Sequence, residues 1–177
     1  MPSSALSKNH KTKATSYLQN PKMEFDDKVR QFIELANKHE VKLLMVGGGA
    51  VNFHGYQRHS SDVDFWLDIR PENLERLKIA LNELGYTFED FPQEVKQAEQ
   101  NISIKISPVQ EIELITRFNP GKSFDEAFAD AETTSFDNLE IAKYRVLSFE
   151  DLINSKVKSS RPKDLLDIQQ LKKLKGE

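Results

Sequence analysis

Cysteine is absent from the 177-residue sequence, which excludes disulfides, thiolate zinc sites and cysteine nucleophiles. Long apolar runs are also absent, since no stretch approaches the roughly 18–20 residues of a membrane span. The first residues lack the apolar segment of a secretory signal. Positive charge is not in excess, because the formal net charge of -3 disfavours a general nucleic-acid binder. These absences predict a cytoplasmic protein without membrane contact.

The composition that remains suits one folded domain, with 38% hydrophobic and 30% charged residues. Residues 1–22 carry lysines but no acids, and we interpret them as a flexible basic tail. This tail is either a solvated leader or a contact for an acidic partner or nucleic acid. We assign residues 23–146 to a core domain and residues 147–177 to a C-terminal helical segment packed on it.

Hydrophobic spacing predicts alternating helices and strands. The expected order is a helix over 25–36, a strand over 41–46, a short helix over 50–56, a strand over 62–69, a helix from Pro71, strands over 102–107 and 111–114, and two final helices. This order predicts an α/β or α+β domain. Pro162 is expected to open the last helix. Its apolar stripe would comprise Leu165, Ile168, Leu171 and Leu174.

Carboxylates alternate with apolar residues on the strand over 62–69. Asp62 and Asp64 lie two residues apart, so both side chains project from one face, with Cβ atoms roughly 6–7 Å apart. A divalent cation would turn their repulsion into ligation, and carboxylate oxygens suit Mg²⁺. Glu113 could join them if its strand is adjacent. Without a ligand, the acids would form only a solvated strand face.

The glycine triplet Gly47, Gly48 and Gly49 follows the strand over 41–46 and precedes a helix. Glycine lets the backbone approach a ligand closely, and a helix N-terminus favours phosphate. A tight turn without a ligand is the alternative. The triplet matches neither GxGxxG nor a Walker loop. A Rossmann-like cofactor site is disfavoured, because its acid would come about 20 residues after the glycines.

Together these residues resemble the polymerase-β-like nucleotidyltransferase superfamily. The resemblance rests on Val46-Gly47-Gly48-Gly49-Ala50, Asp62-Val63-Asp64-Phe65 and Ile112-Glu113-Leu114. It covers roughly residues 25–174 and extends to small bacterial and archaeal stand-alone members, some related to toxin–antitoxin and abortive-infection toxins. It implies the nucleotidyltransferase fold, a mixed sheet flanked by helices. Many members have aspartate where this chain has Glu113.

The resemblance also implies the site. Asp62, Asp64 and Glu113 would be the catalytic and metal-binding residues, with Mg²⁺ as cofactor and Mn²⁺ as an alternative. Glu113 would be the general base. The nucleotide, an NTP such as ATP, would contact the glycine turn and the polar residues Arg58, Ser61, Lys156, Arg161 and Lys163. For Ser61 the alternative is capping of the turn, and for the basic residues it is a solvated face.

Two functions follow as hypotheses. The first is transfer of an NMP from NTP to an acceptor hydroxyl or phosphate, on an RNA end, a protein side chain or a small molecule. The second is a non-catalytic nucleotide-binding module or a toxin–antitoxin component with an antitoxin-like partner. Trp66 lies on the carboxylate face, where cross-strand packing is favoured over stacking on a base.

Overall fold

The computed structural model describes residues 25–177, so the predicted tail over 1–22 lies outside the described part. Seven α-helices, six strands and two short 3₁₀ helices occur in this part of the chain. The helices are α1 (Asp27–Lys38), α2 (Gly47–Phe53), α3 (Pro71–Glu83), α4 (Gln93–Lys96), α5 (Phe124–Asp130), α6 (Phe149–Ser159) and α7 (Pro162–Leu174). The strands are β1 (Leu43–Met45), β2 (Asp62–Leu67), β3 (Ile102–Lys105), β4 (Glu111–Ile115), β5 (Glu132–Ser135) and β6 (Lys143–Val146).

The six strands form one mixed sheet in the order β3-β4-β2-β1-β6-β5. Strand β2 runs parallel to β4, and β1 runs parallel to β6. The other neighbours are antiparallel. The mixed sheet with its helices confirms the predicted α+β class. Among residues 25–177, no helix has the length and apolar character needed to cross a membrane.

The core forms where α1 and α3 pack with the central strands. Asp26 caps α1 by accepting a hydrogen bond from the backbone N–H of Lys28 at 2.9 Å. The rings of Phe32 on α1 and Phe65 on β2 lie 6.0 Å apart, and Leu77 of α3 belongs to the same buried cluster. Burial of each such side chain contributes roughly 1.5–3 kcal/mol, so this cluster fixes β2 and the site that it carries.

Strand β2 has the alternation that its sequence predicts. Val63 and Phe65 are buried, whereas Asp62 is exposed and Asp64 is partly exposed. Trp66 breaks the alternation because it is buried too. Its ring lies 5.2 Å from that of Phe118 and 5.0 Å from that of Phe124. Trp66 therefore packs between aromatic rings, and it does not line the carboxylate cleft.

Helix α7 begins at Pro162 as predicted, but the prediction of its buried face was wrong. Leu171 is buried, whereas the side chains of Leu165 and Leu174 are exposed. The helix instead buries Asp164 and Asp167 with Leu171. The apolar periodicity misled because these two carboxylates pair with the buried Lys156 and with the more exposed Arg58 and Arg161, and a buried carboxylate without such a partner would be costly.

Candidate active site

The three predicted carboxylates lie around one cleft. Strands β2 and β4 are parallel neighbours, and Asp64 is the register partner of Glu113. Adjacent strands lie about 4.8 Å apart, so the two side chains leave the sheet next to each other. Asp62, Asp64 and Glu113 all line a cleft that encloses about 600 Å³. Glu111, the register partner of Asp62, does not line it.

The glycine turn lies directly against Asp64. The backbone N–H of Val46 donates to the carbonyl of Asp64 at 2.9 Å, which joins the turn to β2. A Cβ at Gly47 would lie 2.2 Å from Oδ2 of Asp64, and one at Gly48 would lie 2.6 Å from Oγ of Ser60. Gly47 also has a φ of +57°, a conformation that side chains disfavour. Glycine is therefore required at both positions.

Helix α2 begins at Gly47, so the predicted start at residue 50 was wrong. The glycines form the first turn of the helix rather than a loop before it, because Val46 already has the extended backbone of a helix N-cap. Gly47 and Gly48 line the cleft, whereas Gly49 is buried and does not. Ser61 is outside the cleft lining, and its hydroxyl donates to Oδ1 of Asp62 at 3.2 Å.

Arg58 reaches the cleft from the segment before β2. Its Nε lies 2.9 Å from Oδ1 of Asp167, and its Nη2 donates to Oδ2 at 3.1 Å. The third nitrogen, Nη1, lies 3.5 Å from the position of a Cβ at Gly48. Asp167 thus holds the guanidinium beside the glycine turn through one hydrogen bond and a close charge contact at Nε.

Lys156 is buried beneath this pair rather than free in the cleft. Its Nζ lies 2.7 Å from Oδ2 of Asp167 and 3.2 Å from Oδ1 of Asp164. The side chains of Lys156, Asp164 and Asp167 are 6%, 1% and 1% exposed. A cation enclosed by two aspartates organises the cleft wall, and most of its charge is already compensated.

Arg161 is held at the mouth of the cleft by the other aspartate. Its Nε and Nη2 donate to the carboxylate of Asp164 at 2.7 and 3.3 Å, while the side chain stays 59% exposed. Burial alone would raise the pKa of Asp164. Hydrogen bonds from Arg161 and Ser159, together with the charge of Lys156, outweigh burial and lower this pKa to about 2. Asp164 is therefore a permanent anion of the wall.

The electrostatics single out Asp64 among the three site acids. Burial raises the pKa of Asp64 to about 6, and the charges of Glu113 and Asp62 add to the rise. Lys163 and Arg58 act in the opposite direction, which places both cations close to Asp64. Lys163 lines the cleft and makes no ion pair with any residue of 25–177. Its charge is thus available to a ligand.

Asn101 is a site residue that the sequence analysis missed. Its Nδ2 donates to Oε1 of Glu113 at 2.9 Å, and its Oδ1 accepts from the backbone N–H of Thr116 at 3.1 Å. The backbone contact fixes which end of the amide faces Glu113. The extra methylene of Glu113 compared with aspartate is thereby restrained by a neighbouring side chain. A polar residue directly before β3 was the only signal in the sequence.

The segment after β4 also lines the cleft, through Arg117, Phe118 and Asn119. The sequence analysis did not select these residues, because nothing in their spacing indicates that they turn back over the site. In all, six basic and four acidic side chains line the cleft, although the chain carries a net charge of -3. The cleft is therefore suited to an anion.

The donor set fits a hard divalent cation in its chemistry. Within residues 25–177, Asp62, Asp64 and Glu113 form no ion pair, and the pKa of Asp64 is raised first by burial and then by repulsion from Glu113 and Asp62, which a cation would relieve. The described residues do not, however, gather three acidic or histidine side chains closely enough to hold a metal ion by themselves. Mg²⁺ typically uses one or two carboxylates and completes its shell with water and phosphate oxygens, which this arrangement permits.

Comparison with known proteins returned no relative. No family model matches the chain, and neither a curated protein nor a solved structure matches it.

Proposed function

We propose that the protein is a nucleotidyltransferase that moves an NMP from an NTP to an acceptor hydroxyl or phosphate. One observation carries the proposal. Within residues 25–177 the three acids of the cleft form no ion pair, while the other two aspartates beside it, Asp164 and Asp167, are paired. The nearby charges of Lys163 and Arg58 do not offset the burial of Asp64 and its repulsion from Glu113 and Asp62, so a ligand that neutralises these acids is the simplest reason for the arrangement.

The cleft walls support the identity of the donor. Gly47 and Gly48 line the cleft, and their lack of side chains lets Asp64 and Ser60 pack directly against the turn. Arg58, Arg161 and Lys163 surround this turn with positive charge, and Asp167 and Asp164 hold the two guanidiniums in place. A triphosphate is a polyanion that such fixed cations bind well. Asp62 and Asp64 would hold Mg²⁺, which would offset part of the charge of the phosphates.

The reaction would use these residues as follows. The acceptor oxygen attacks the α-phosphorus and forms a new P–O bond, while the bond to the β-phosphate breaks and pyrophosphate leaves with the electron pair. The acceptor proton passes to the carboxylate of Glu113, which Asn101 holds through one oxygen. Bound Mg²⁺ would supply charge neutralisation of the phosphate oxygens. Arg58 and Lys163 would add fixed charge where the transition state becomes more negative.

A second candidate is a non-catalytic nucleotide-binding module or toxin–antitoxin component with the same cleft. The observation that favours it is that no three acidic or histidine side chains among the described residues are arranged to hold a metal ion. Such a protein would bind NTP without turning it over, and an antitoxin-like partner would act on the bound form. Transfer of a labelled NMP by the isolated protein would contradict it.

The test has two stages. The four NTPs are first titrated calorimetrically with and without Mg²⁺, on the wild type and on Asp62→Asn/Asp64→Asn. Label from α-³²P-NTP is then followed into RNA, protein and small-molecule acceptors. We expect metal-dependent binding of at least one NTP that is lost in the double variant and kept in Glu72→Gln, an exposed acid on α3. NTP affinity that changes neither when Mg²⁺ is removed nor in the double variant would refute the proposed site.

A further inference from the structure

Two further cations line the cleft in addition to the paired arginines and Lys163. Arg117 follows β4 and is exposed, and within residues 25–177 it forms no ion pair or hydrogen bond. Lys158 lies on α6, and its Nζ donates only to a neutral group, Oδ1 of Asn119, at 3.2 Å. Both side chains line the cleft. Their charge is thus uncompensated by the protein.

The loop that presents Arg117 is anchored on both sides. At its start, the backbone of Thr116 donates to Asn101, the same amide that holds Glu113. At its end, Lys122 lies 2.7 Å from Asp130 and 3.0 Å from the fully buried carboxylate of Asp151. These contacts raise the pKa of Lys122, so the anchor stays charged at neutral pH.

The middle of the loop is fixed as well. The ring of Phe118 packs at 5.2 Å on Trp66, and Asn119 accepts a hydrogen bond from the backbone of Gly121 at 2.9 Å. The chain passes so close to α6 that a Cβ at Gly121 would lie 3.3 Å from Nζ of Lys158. The arrangement is therefore a built surface with two cations, and it adjoins the carboxylate that would take the acceptor's proton.

We propose that Arg117 and Lys158 form the acceptor subsite and that they select an acceptor carrying a phosphate group. The inference rests on the proposed function, because it takes Glu113 as the general base. Arg58, Arg161 and Lys163 already supply the charge that a triphosphate needs near the glycine turn. A second pair of uncompensated cations in the cleft that contains Glu113 has no role for a neutral acceptor, whereas it matches the phosphate that flanks a ribose hydroxyl in a nucleotide or at an RNA end.

The test first titrates the protein calorimetrically with Mg²⁺ and the α,β-methylene analogues of all four NTPs, and it fills the donor site with the analogue that binds most tightly. The loaded protein is then titrated with three probes: adenosine, 5′-AMP, and a fluorescein-labelled hexaadenylate RNA with a free 3′ hydroxyl. Variants are Arg117→Ala, Lys158→Gln and the control Arg76→Ala. Arg76 is half-buried on α3, outside the cleft, and its Nη1 donates to the backbone carbonyl of Glu40 at 3.3 Å.

We expect the phosphorylated probes to bind at least tenfold more tightly than adenosine. Arg117→Ala and Lys158→Gln should each remove most of that preference, while donor affinity stays within twofold of wild type. A preference for the RNA would indicate a phosphodiester acceptor, and a preference for 5′-AMP a small phosphorylated one. Equal binding of adenosine and both anions would overturn the inference. A loss of donor affinity in Arg117→Ala as large as its loss of probe affinity would also overturn the inference, because Arg117 would then bind the triphosphate.

Failure of the proposed function has a different signature. If the donor analogue does not bind the wild type with Mg²⁺, the nucleotidyltransferase assignment itself fails. If the analogue binds but the phosphorylated probes show no preference, only the acceptor subsite is rejected. Lys163→Gln sharpens the distinction, since it is expected to weaken the donor analogue and leave the probe preference intact.

Discussion

Asp64 on β2 and Glu113 on β4 are register partners on adjacent parallel strands, and neither has a cationic partner among residues 25–177. Parallel pairing places two acids 49 positions apart in sequence at neighbouring points of one cleft. The pairing also raises the pKa of Asp64, after burial, which is the larger cause. The two carboxylates of the cleft therefore repel each other, and a bound cation would reduce this repulsion.

Replacement of Asp64 by asparagine should stabilise the metal-free protein. The pKa of Asp64 is about 6 in the folded state, against an ordinary value of 3.8. The folded state therefore binds the proton more tightly, and stability falls as pH rises from about 4 through 6. Above that range Asp64 is fully ionised in the folded state, and the loss of stability reaches its full size. Asp64→Asn should raise the free energy of unfolding by about 1–2 kcal/mol at pH 8 in EDTA, with a smaller gain at pH 5.

Chemical denaturation at the two pH values measures this effect. The matched control is Glu72→Gln, which should change stability little at either pH. The prediction fails if Asp64→Asn is destabilising at pH 8, since the carboxylate would then be compensated in a way that the described contacts do not contain.

Gly47→Ala should disable the site and destabilise the fold. The new Cβ would meet Oδ2 of Asp64 at 2.2 Å, and alanine would also have to adopt a φ of +57°. Gly85→Ala separates the two effects, because Gly85 has a φ of +109° with nothing within 4 Å of the added Cβ. Left-handed backbone alone costs about 1–2 kcal/mol.

Thermal denaturation of both glycine variants makes the comparison. We expect the greater loss at Gly47, together with loss of Mg²⁺-dependent NTP binding. If Gly47→Ala loses no more thermal stability than Gly85→Ala and still binds NTP, the close approach of Gly47 to Asp64 is not needed for function.

Asn101→Ala should slow transfer without weakening the donor. The variant removes the amide that restrains Glu113, and a hydrogen bond to a charged group is worth about 1.5–3 kcal/mol. The expected fall in kcat is therefore about 10–100-fold. The KM for NTP should change less than twofold, because Asn101 contacts neither the glycine turn nor the basic wall.

Asn101→Asp provides the discriminating variant, since it keeps the shape but places a second carboxylate against Glu113. It should be slower than Asn101→Ala. Asn82→Ala, an exposed amide on α3, is the neutral control. If Asn101→Asp retains full kcat, the hydrogen bond to Glu113 has no part in positioning the base.

Lys156→Met should be strongly destabilising. The change leaves Asp164 and Asp167 buried with one cation fewer, and removing one partner of a buried ionic cluster typically costs about 3–5 kcal/mol. Lys173→Met, an exposed lysine of α7, should alter the free energy of unfolding by less than about 0.5 kcal/mol. Urea denaturation of both variants provides the measurement. Equal stability of the two would mean that the cluster is solvated rather than buried.

The sequence by itself determined the local parts of the site. Alternation of Asp62 and Asp64 with apolar residues required a half-buried strand, and a glycine triplet after an apolar run required a close backbone approach. These patterns are local, because side-chain direction along a strand and the backbone freedom of glycine depend on neighbouring residues only. The α/β or α+β class followed from the order of such segments.

Only the tertiary structure decided which distant residues meet. Strand pairing placed Glu113 beside Asp64, and long-range contacts brought Asn101 and Arg117 to the cleft without any periodic signal. The buried face of α7 also followed from pairing of Asp164 and Asp167 with Lys156 and Arg58, not from its leucines. Contacts between residues far apart in the chain depend on how the elements pack. Hydrophobic spacing within one helix does not indicate which polar side chain of another element will pair with it.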